Sequence, residues 1–309
     1  MFSRDWFSDT PPCSDLPEIL HLHVHVSDHV APNVALFPTR AFAKSKKLVT
    51  LSLRNAWWDK DLSLPNLTIF DVYNPDWNIS PHQLFHVIAH CSELKHMPIE
   101  FEYKASLQPI MNRIILPKLE ELQTTCEWIT RAGPSLKAGL VLPALVKLQL
   151  YGTGDVDVLA SFIRDVAPRL QYLHLGLSPP QSQESELNLL PLLHAAANIS
   201  ELELDSVAVQ SSIFDEMALS SAAPESGEGV CLLPNLTSLI VKNATLADAD
   251  ALLRFVASRT KQDGEKRAFP RRLKNVLLVG ENNIGAWHEA QIVAMLEGSQ
   301  SSPRPEERA

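Results

Sequence analysis

The sequence predicts an α/β solenoid, a stack of strand–helix units whose short strands lie side by side in one parallel sheet. Three observations lead there. One apolar phrase recurs along most of the chain, its copies are separated by similar intervals, and the stretches between them carry helix signals. The phrase is plainest in "LPNLTIFDV" (64–72) and "LPNLTSLIV" (233–241). "LPEILHLHV" (16–24), "LPKLEELQT" (116–124) and "LPALVKLQL" (142–150) share the form. Looser copies are "SKKLVTLSL" (45–53), "CSELKHMPI" (91–99), "APRLQYLHL" (167–175), "AANISELEL" (196–204) and "PRRLKNVLL" (270–278).

The template is L-x-x-L-x-L, and its first apolar step falls at Ile19, Leu48, Leu67, Leu94, Leu119, Leu145, Leu170, Ile199, Leu236 and Leu273. The intervals are 29, 19, 27, 25, 26, 25, 29, 37 and 37 residues. Most fit the window of about 20–29 residues that characterises leucine-rich repeats. A single strand–helix unit cannot cover its own apolar side, so stacking must stabilise the array. The expectation is a curved horseshoe of ten irregular repeats, with the sheet on its concave face and helices and loops on its convex face.

The segments between strands read as helical returns. "SPHQLFHVIAHC" has Ser80 as N-cap, Pro81 at the first helical position, and Leu84, Val87, Ile88 and Cys91 in one apolar stripe. "DVDVLASFIRDVA" repeats this plan with Asp155 as cap and Leu159, Phe162, Ile163 and Val166 inward. "TLADADALLRFVAS" sets Thr245 and Asp248 as a capping box ahead of Leu252, Phe255 and Val256. "IGAWHEAQIVAML" (284–296) reads as a helix over the last repeat. "SSAAPESGEG" (220–229) and "KQDGEKRA" (261–268) read as surface loops in the two long intervals. Residues 1–15 are expected as a leader, 16–297 as the repeat domain and 298–309 as a disordered tail.

Alternation along each strand fixes which side chains leave the core. The first strand presents His21, His23 and His25, its neighbours Thr50, Ser52 and Arg54, then Ile69, Asp71 and Tyr73. Further strands present Glu121/Gln123/Thr125, Lys147/Gln149/Tyr151, Tyr172/His174/Gly176 and Glu201/Glu203/Asp205. Such a face would be roughly 43 Å across at ~4.8 Å per strand gap, larger than a small-molecule pocket needs. Arg54, Tyr73, Tyr151, Tyr172, His174, Glu201, Glu203 and Asp205 are therefore the candidate contacts for a protein partner, the tyrosines as rigid amphipathic anchors.

Two histidine trios have spacings that could suit a metal. His21, His23 and His25 share a strand face, but the next strand offers hydroxyls and a cation, and Asp71 lies two strands away. His82, His86 and His90 share a helix face, yet the H-E-x-x-H general base is missing. No metal and no cofactor is expected. Glu203 sits beside His174 as a possible ion pair, with no Ser or Cys nucleophile in register, and neither a P-loop nor a G-x-G-x-x-G occurs. No enzyme is expected; the alternative enzyme would be a metal-dependent one at His21, His23 and His25.

The 309 residues are 45% hydrophobic and carry a net charge of −9, which repels phosphate backbones. The basic stretch 259–274 is the alternative nucleic-acid site, but Asp263 and Glu265 intersperse it as in a solvated loop. Cys13, Cys91, Cys126 and Cys231 form no CxxC pair. "MFSRDWFSDTPPCSD" lacks the apolar core of a secretory signal, and no apolar run is long enough to span a bilayer. The expected setting is intracellular, cytoplasmic or nuclear, without membrane contact.

The recurring "LPxLxxLxL" strand starts, uneven repeat lengths and polar excursions resemble the repeat halves of fungal F-box proteins over residues 16–280. The resemblance implies a substrate receptor whose repeats hold a protein, while an F-box grips the adaptor of a cullin-type ubiquitin ligase. The helices of an F-box itself are not found: "MFSRDWFSDTPPCSD" alone precedes Leu16, and "LPEIL" continues into the strand "HLHVHV". The adaptor is then expected as a partner only with an F-box upstream. The asparagine that usually follows the last strand leucine by three is replaced by Ser27, Ala56, Pro75, Glu102, Glu127, Thr153, Ser178, Val207, Ala244 and Glu281. The turns must be held by other groups.

Overall fold

The computed structural model describes residues 20–25, 47–54, 64–74, 81–101, 113–178, 188–218, 231–260 and 271–298. The leader, Ile19, the Ser80 cap, both polar excursions and the tail past Gly298 lie outside the described residues. The chain divides into two compact units, the first running to Leu148 with Arg164–Arg169, the second comprising Gln149–Ile163 and Leu170 onward.

In the first unit β1 (His21–His25), β2 (Thr50–Arg54), β3 (Ile69–Asn74), β4 (His96–Phe101) and β6 (Glu121–Thr125) are parallel neighbours in that order. The two-residue strands β5 (Ile114–Ile115) and β7 (Leu140–Val141) pair separately. Helices α1 (Pro81–Ile88) and α2 (Cys126–Gly139) lie between strands in sequence, and β8 (Lys147–Gly152) begins at the end of the unit.

The LPxL phrase builds a tight turn. The amide of the step-1 leucine donates to the carbonyl three residues back: Leu67 to Leu64 (3.1 Å), Leu119 to Leu116 (3.4 Å), Leu145 to Leu142 (3.2 Å). Proline as the second residue presets φ for that turn. Each next repeat then places two amides on one carbonyl of its predecessor: Thr68 and Ile69 on Val49, Lys95 and His96 on Thr68, Glu120 and Glu121 on Lys95. Register is thereby copied from strand to strand, and a one-residue slip would turn every leucine outward. Leu48, Leu67, Leu94, Leu119 and Leu145 are all within 1% of full burial.

The second unit repeats the plan. Its strands are the end of β8, β9 (Tyr172–Leu177), β10 (Glu201–Asp205), β12 (Ser238–Lys242) and β14 (Asn275–Val279), all parallel neighbours, with β11 (Ala208–Val209) and β13 (Thr245–Leu246) as a side pair. Its helices are α3 (Val156–Val166), α4 (Leu190–Ala195), α5 (Ser211–Met217), α6 (Ala249–Thr260) and α7 (Ala286–Gly298). The shared carbonyls are Gln171, Ser200 and Thr237. Leu170, Ile199, Leu236 and Leu273 are buried as expected. So are the inward residues of α3, among them Phe162 and Ile163.

The helix ends and caps agree with expectation in part. Asp155 caps α3 through Oδ1, taking the amides of Asp157 (2.9 Å) and Val158 (3.1 Å), as anticipated. The capping box at α6 does not form, because Thr245 is in β13 and Asp248 alone caps, its Oδ1 accepting the Asp250 amide at 2.9 Å. Helix α2 runs through Gly133 and Pro134, a pair that reads locally as a turn. Helix α7 reaches Gly298, so the first residue assigned to the tail is helical, and Trp287 and Val293 on it remain 61% and 50% exposed.

Where an asparagine ladder is missing, other groups hold the turns of the second unit. The residue after β10, β12 and β14 is left-handed in each case: Ser206 (φ 57°), Asn243 (φ 49°) and Gly280 (φ 73°). Asn283 grips Leu246 with both ends of its amide, accepting its N–H at 2.8 Å and donating to its carbonyl at 2.7 Å. Arg259, 2% exposed on α6, donates to the carbonyls of Leu236 (3.1 Å), Arg271 (3.2 Å) and Leu233 (3.3 Å). Its burial lowers its pKa, opposed by the neighbouring Cys231.

Candidate functional site

The side chains opposite the buried leucines form an open sheet face on each unit. On the first, β1 presents His21, His23 and His25 outward, aligned with Thr50, Ser52 and Arg54. The next register aligns Ser52 with Asp71 and Arg54 with Tyr73. These neighbours are already engaged. His21 Nδ1 lies 3.0 Å from Thr50 Oγ1, Ser52 donates to Asp71 at 2.8 Å, and the Arg54 guanidinium lies 5.6 Å from the Tyr73 ring centroid. Thr50 and Ser52 are buried, whereas Arg54 is exposed and Tyr73 half-buried. Further along, Glu121 receives Lys147 Nζ at 2.8 Å and faces His96 Nδ1 at 3.2 Å.

The second unit gathers six of the eight candidate contacts on β8, β9 and β10. Parallel register pairs Tyr172 with Glu201 and His174 with Glu203. The Tyr172 hydroxyl donates to Glu203 Oε2 at 2.5 Å, and His174 Nδ1 lies 3.3 Å from Glu203 Oε1. The Tyr151 ring covers the imidazole, with centroids 4.8 Å apart, and its hydroxyl donates to Gln149 at 2.9 Å. Asp205 receives Lys242 at 3.1 Å, Ser206 at 2.9 Å and Asn243 at 3.4 Å. Burial, then the Glu203 hydrogen bond and its charge, push the Tyr172 phenol far above its ordinary value and keep it neutral. At Asp205 burial raises the carboxyl, but the bonds from Lys242, Ser206 and Asn243 outweigh it and hold it below the usual range.

One candidate behaves differently from the expectation of an accessible contact. His174 is on the predicted face and beside Glu203, but it is 4% exposed under Tyr151. It positions neighbours rather than offering surface. Tyr151, Tyr172, Glu203 and Asp205 are half-buried and Glu201 is exposed.

The helical trio reads as expected where it is described: His86 and His90 are exposed, opposite the buried Leu84, Val87 and Ile88. Cys91, Cys126 and Cys231 are free thiols. No helix among the described residues is long and apolar enough to cross a membrane.

No protein-family model matches the chain, and no curated protein matches it in sequence. Among solved structures it is similar to an internalin from Listeria monocytogenes, at 16% identity and a TM-score of 0.40, over 84% of this chain and 68% of that one.

Proposed function

We propose that this chain is a leucine-rich-repeat recognition scaffold, a curved solenoid of about ten irregular repeats whose concave sheet face takes a protein partner. The observation that carries the reading is the open strand face on each unit, with Arg54 and Tyr73 on the first and Tyr151, Tyr172, Glu201 and Asp205 on the second, rigid aromatics among charges. Rigid tyrosines beside charged side chains are the usual anchors of protein interfaces. The free thiols Cys91, Cys126 and Cys231, among the described residues, suit an intracellular, reducing setting. A substrate-receptor role in a cullin-type ubiquitin ligase extends this reading through the likeness to fungal F-box proteins.

The test is affinity purification of the full chain, tagged at its C-terminus, with two face variants, Arg54→Glu with Tyr73→Ala, and Glu201→Lys. His86→Ala with His90→Ala serves as the helix-side control. Companion proteins should be lost from one or both face variants and kept by the control. Identical companions in all preparations would overturn the face assignment. Ligase adaptor and cullin retained in every variant would support the receptor role, and their absence would leave a free-standing scaffold.

A further inference from the structure

Neither histidine trio singled out in the sequence supplies the best metal-ligand geometry among the described residues. His174, Glu203 and Asp205 each offer one ligand atom, and these atoms all lie within 4.8 Å of one another. The sheet assembles them from two strands. His174 aligns with Glu203, and the pairing of Leu175 with Leu204 brings Asp205 beside Gly176.

We propose that this group binds a late first-row divalent cation. His174 Nε2 and the Asp205 carboxylate are the ligands, Glu203 orients the imidazole, and water completes the coordination. The inference goes beyond partner recognition and stands independently of it.

Protonation at His174 supplies the first argument. Nδ1 lies 3.3 Å from Glu203 Oε1, so a proton there makes a hydrogen bond, whereas a bare Nδ1 would set a lone pair against a carboxylate. The neutral ring therefore leaves Nε2 as the lone-pair nitrogen. That atom is buried and has no hydrogen-bond partner, an unfavourable state unless something takes the lone pair. An imidazole that gives one N–H to a carboxylate and its other nitrogen to a cation is a recurrent metal-site arrangement.

The direction of Nε2 supplies the second, although the Tyr151 ring lies over the same position and must shift to admit an ion. A Cβ built on Gly176 would lie 3.4 Å from Nε2 and 2.9 Å from Tyr151 Cδ1. Nε2 is thus directed along the strand toward the residue that carries no side chain, at the level of Asp205. Metal–ligand bonds of about 2.0–2.2 Å separate ligand atoms by roughly 3–4 Å, so a group spread over as much as 4.8 Å must contract on an ion, with the partly exposed Asp205 carboxylate rotating toward Nε2. Lys242, 41% exposed and 3.1 Å from Asp205, is the competing cation and can swing into water. Mixed imidazole and carboxylate donors suit Zn2+, Cu2+ or Ni2+ better than Mg2+ or Ca2+.

The experiment is calorimetric titration of the untagged full chain with Zn2+ after chelator treatment, with Mg2+ as comparison. One equivalent should bind that His174→Gln and Asp205→Asn each lose or weaken at least about tenfold. Glu203→Gln, which can still accept the Nδ1 proton, should retain more affinity than Glu203→Ala. Lys242→Met should tighten binding, and His86→Ala with His90→Ala should leave that equivalent intact. Zn2+ bound by Asp205→Asn with the parent's stoichiometry and affinity would overturn the site, as would absence of binding in the parent. Asp205 is a partly exposed strand-end residue, so its variant keeps the test valid should His174→Gln not fold.

Discussion

Tyr172 and Glu203, on adjacent strands, are joined by a 2.5 Å hydrogen bond from phenol to carboxylate, and the same carboxylate faces His174 on its other oxygen. One acidic side chain thereby fixes two residues of the neighbouring strand. Tyr172→Phe removes the donor and leaves a half-buried carboxylate short of a partner. Unfolding by urea should show a loss of about 1 kcal/mol, with an unchanged m-value.

Burial of Tyr172, together with the same bond, has a pH signature. The fold raises the Tyr172 phenol above its unfolded value, so its stabilising contribution is complete below that value and is lost as pH rises through the raised one. The parent should lose stability at strongly alkaline pH relative to Tyr172→Phe, a difference read from parallel denaturation series. Asp205 works in the opposite sense. Its lowered carboxyl contributes above the unfolded value and is lost as pH falls through the folded one. Asp205→Asn should therefore narrow the gap to the parent on strong acidification.

Arg259 tests the idea that side chains replace the missing asparagine ladder. Arg259→Met keeps the length of the stem and removes the cost of burying a charge, but it takes the guanidinium donor from the carbonyls of Leu236, Arg271 and Leu233, the last of which keeps only the Leu236 amide. At about 1 kcal/mol per lost acceptor bond the variant should lose about 3 kcal/mol. Stability equal to the parent would mean that the buried charge costs as much as its bonds return.

Much of the fold was legible from residues alone because a two-residue period leaves little freedom. The step-1 leucines from Leu48 to Leu273 are buried, and the pairs Ser52–Asp71, Arg54–Tyr73 and His174–Glu203 stand in the expected register. What escaped depended on contacts across the sheet or on local context. Pro134 reads as a breaker by itself, yet it stands within α2, whose Trp128 and Ile129 are buried. Thr245 fits a capping box until β11 claims it as a strand partner. The burial of His174 depends on where the Tyr151 ring rests, and the alignment of Asp205 with Gly176 needs two strands considered together. Histidines repeated within one segment draw attention first, although a site assembled by register leaves no local spacing to find.

The thiols should separate by environment. Burial pushes Cys91 up to about 12 and raises Cys126 still further. Cys231 is also raised by burial, but Arg259 opposes this and the residue is only half-buried. Native alkylation with iodoacetamide near neutral pH should label Cys231 before Cys91 or Cys126, as read by peptide mass spectrometry over time.

Gly280 carries the sharpest backbone prediction. Its φ of 73° belongs to the left-handed region, and a Cβ there would meet Asn243 Oδ1 at 2.0 Å. That oxygen also accepts the Glu281 amide at 3.2 Å, so it cannot retreat without breaking the link between two successive turns. Gly280→Ala adds left-handed strain of about 1–2 kcal/mol and the loss of that bond. A drop of about 2 kcal/mol or more should follow, and combining it with Asn243→Ala, which removes the obstructing side chain, should give less than the sum of the two. Additive losses would show that the strain lies in the backbone alone and that Asn243 does not couple the turns.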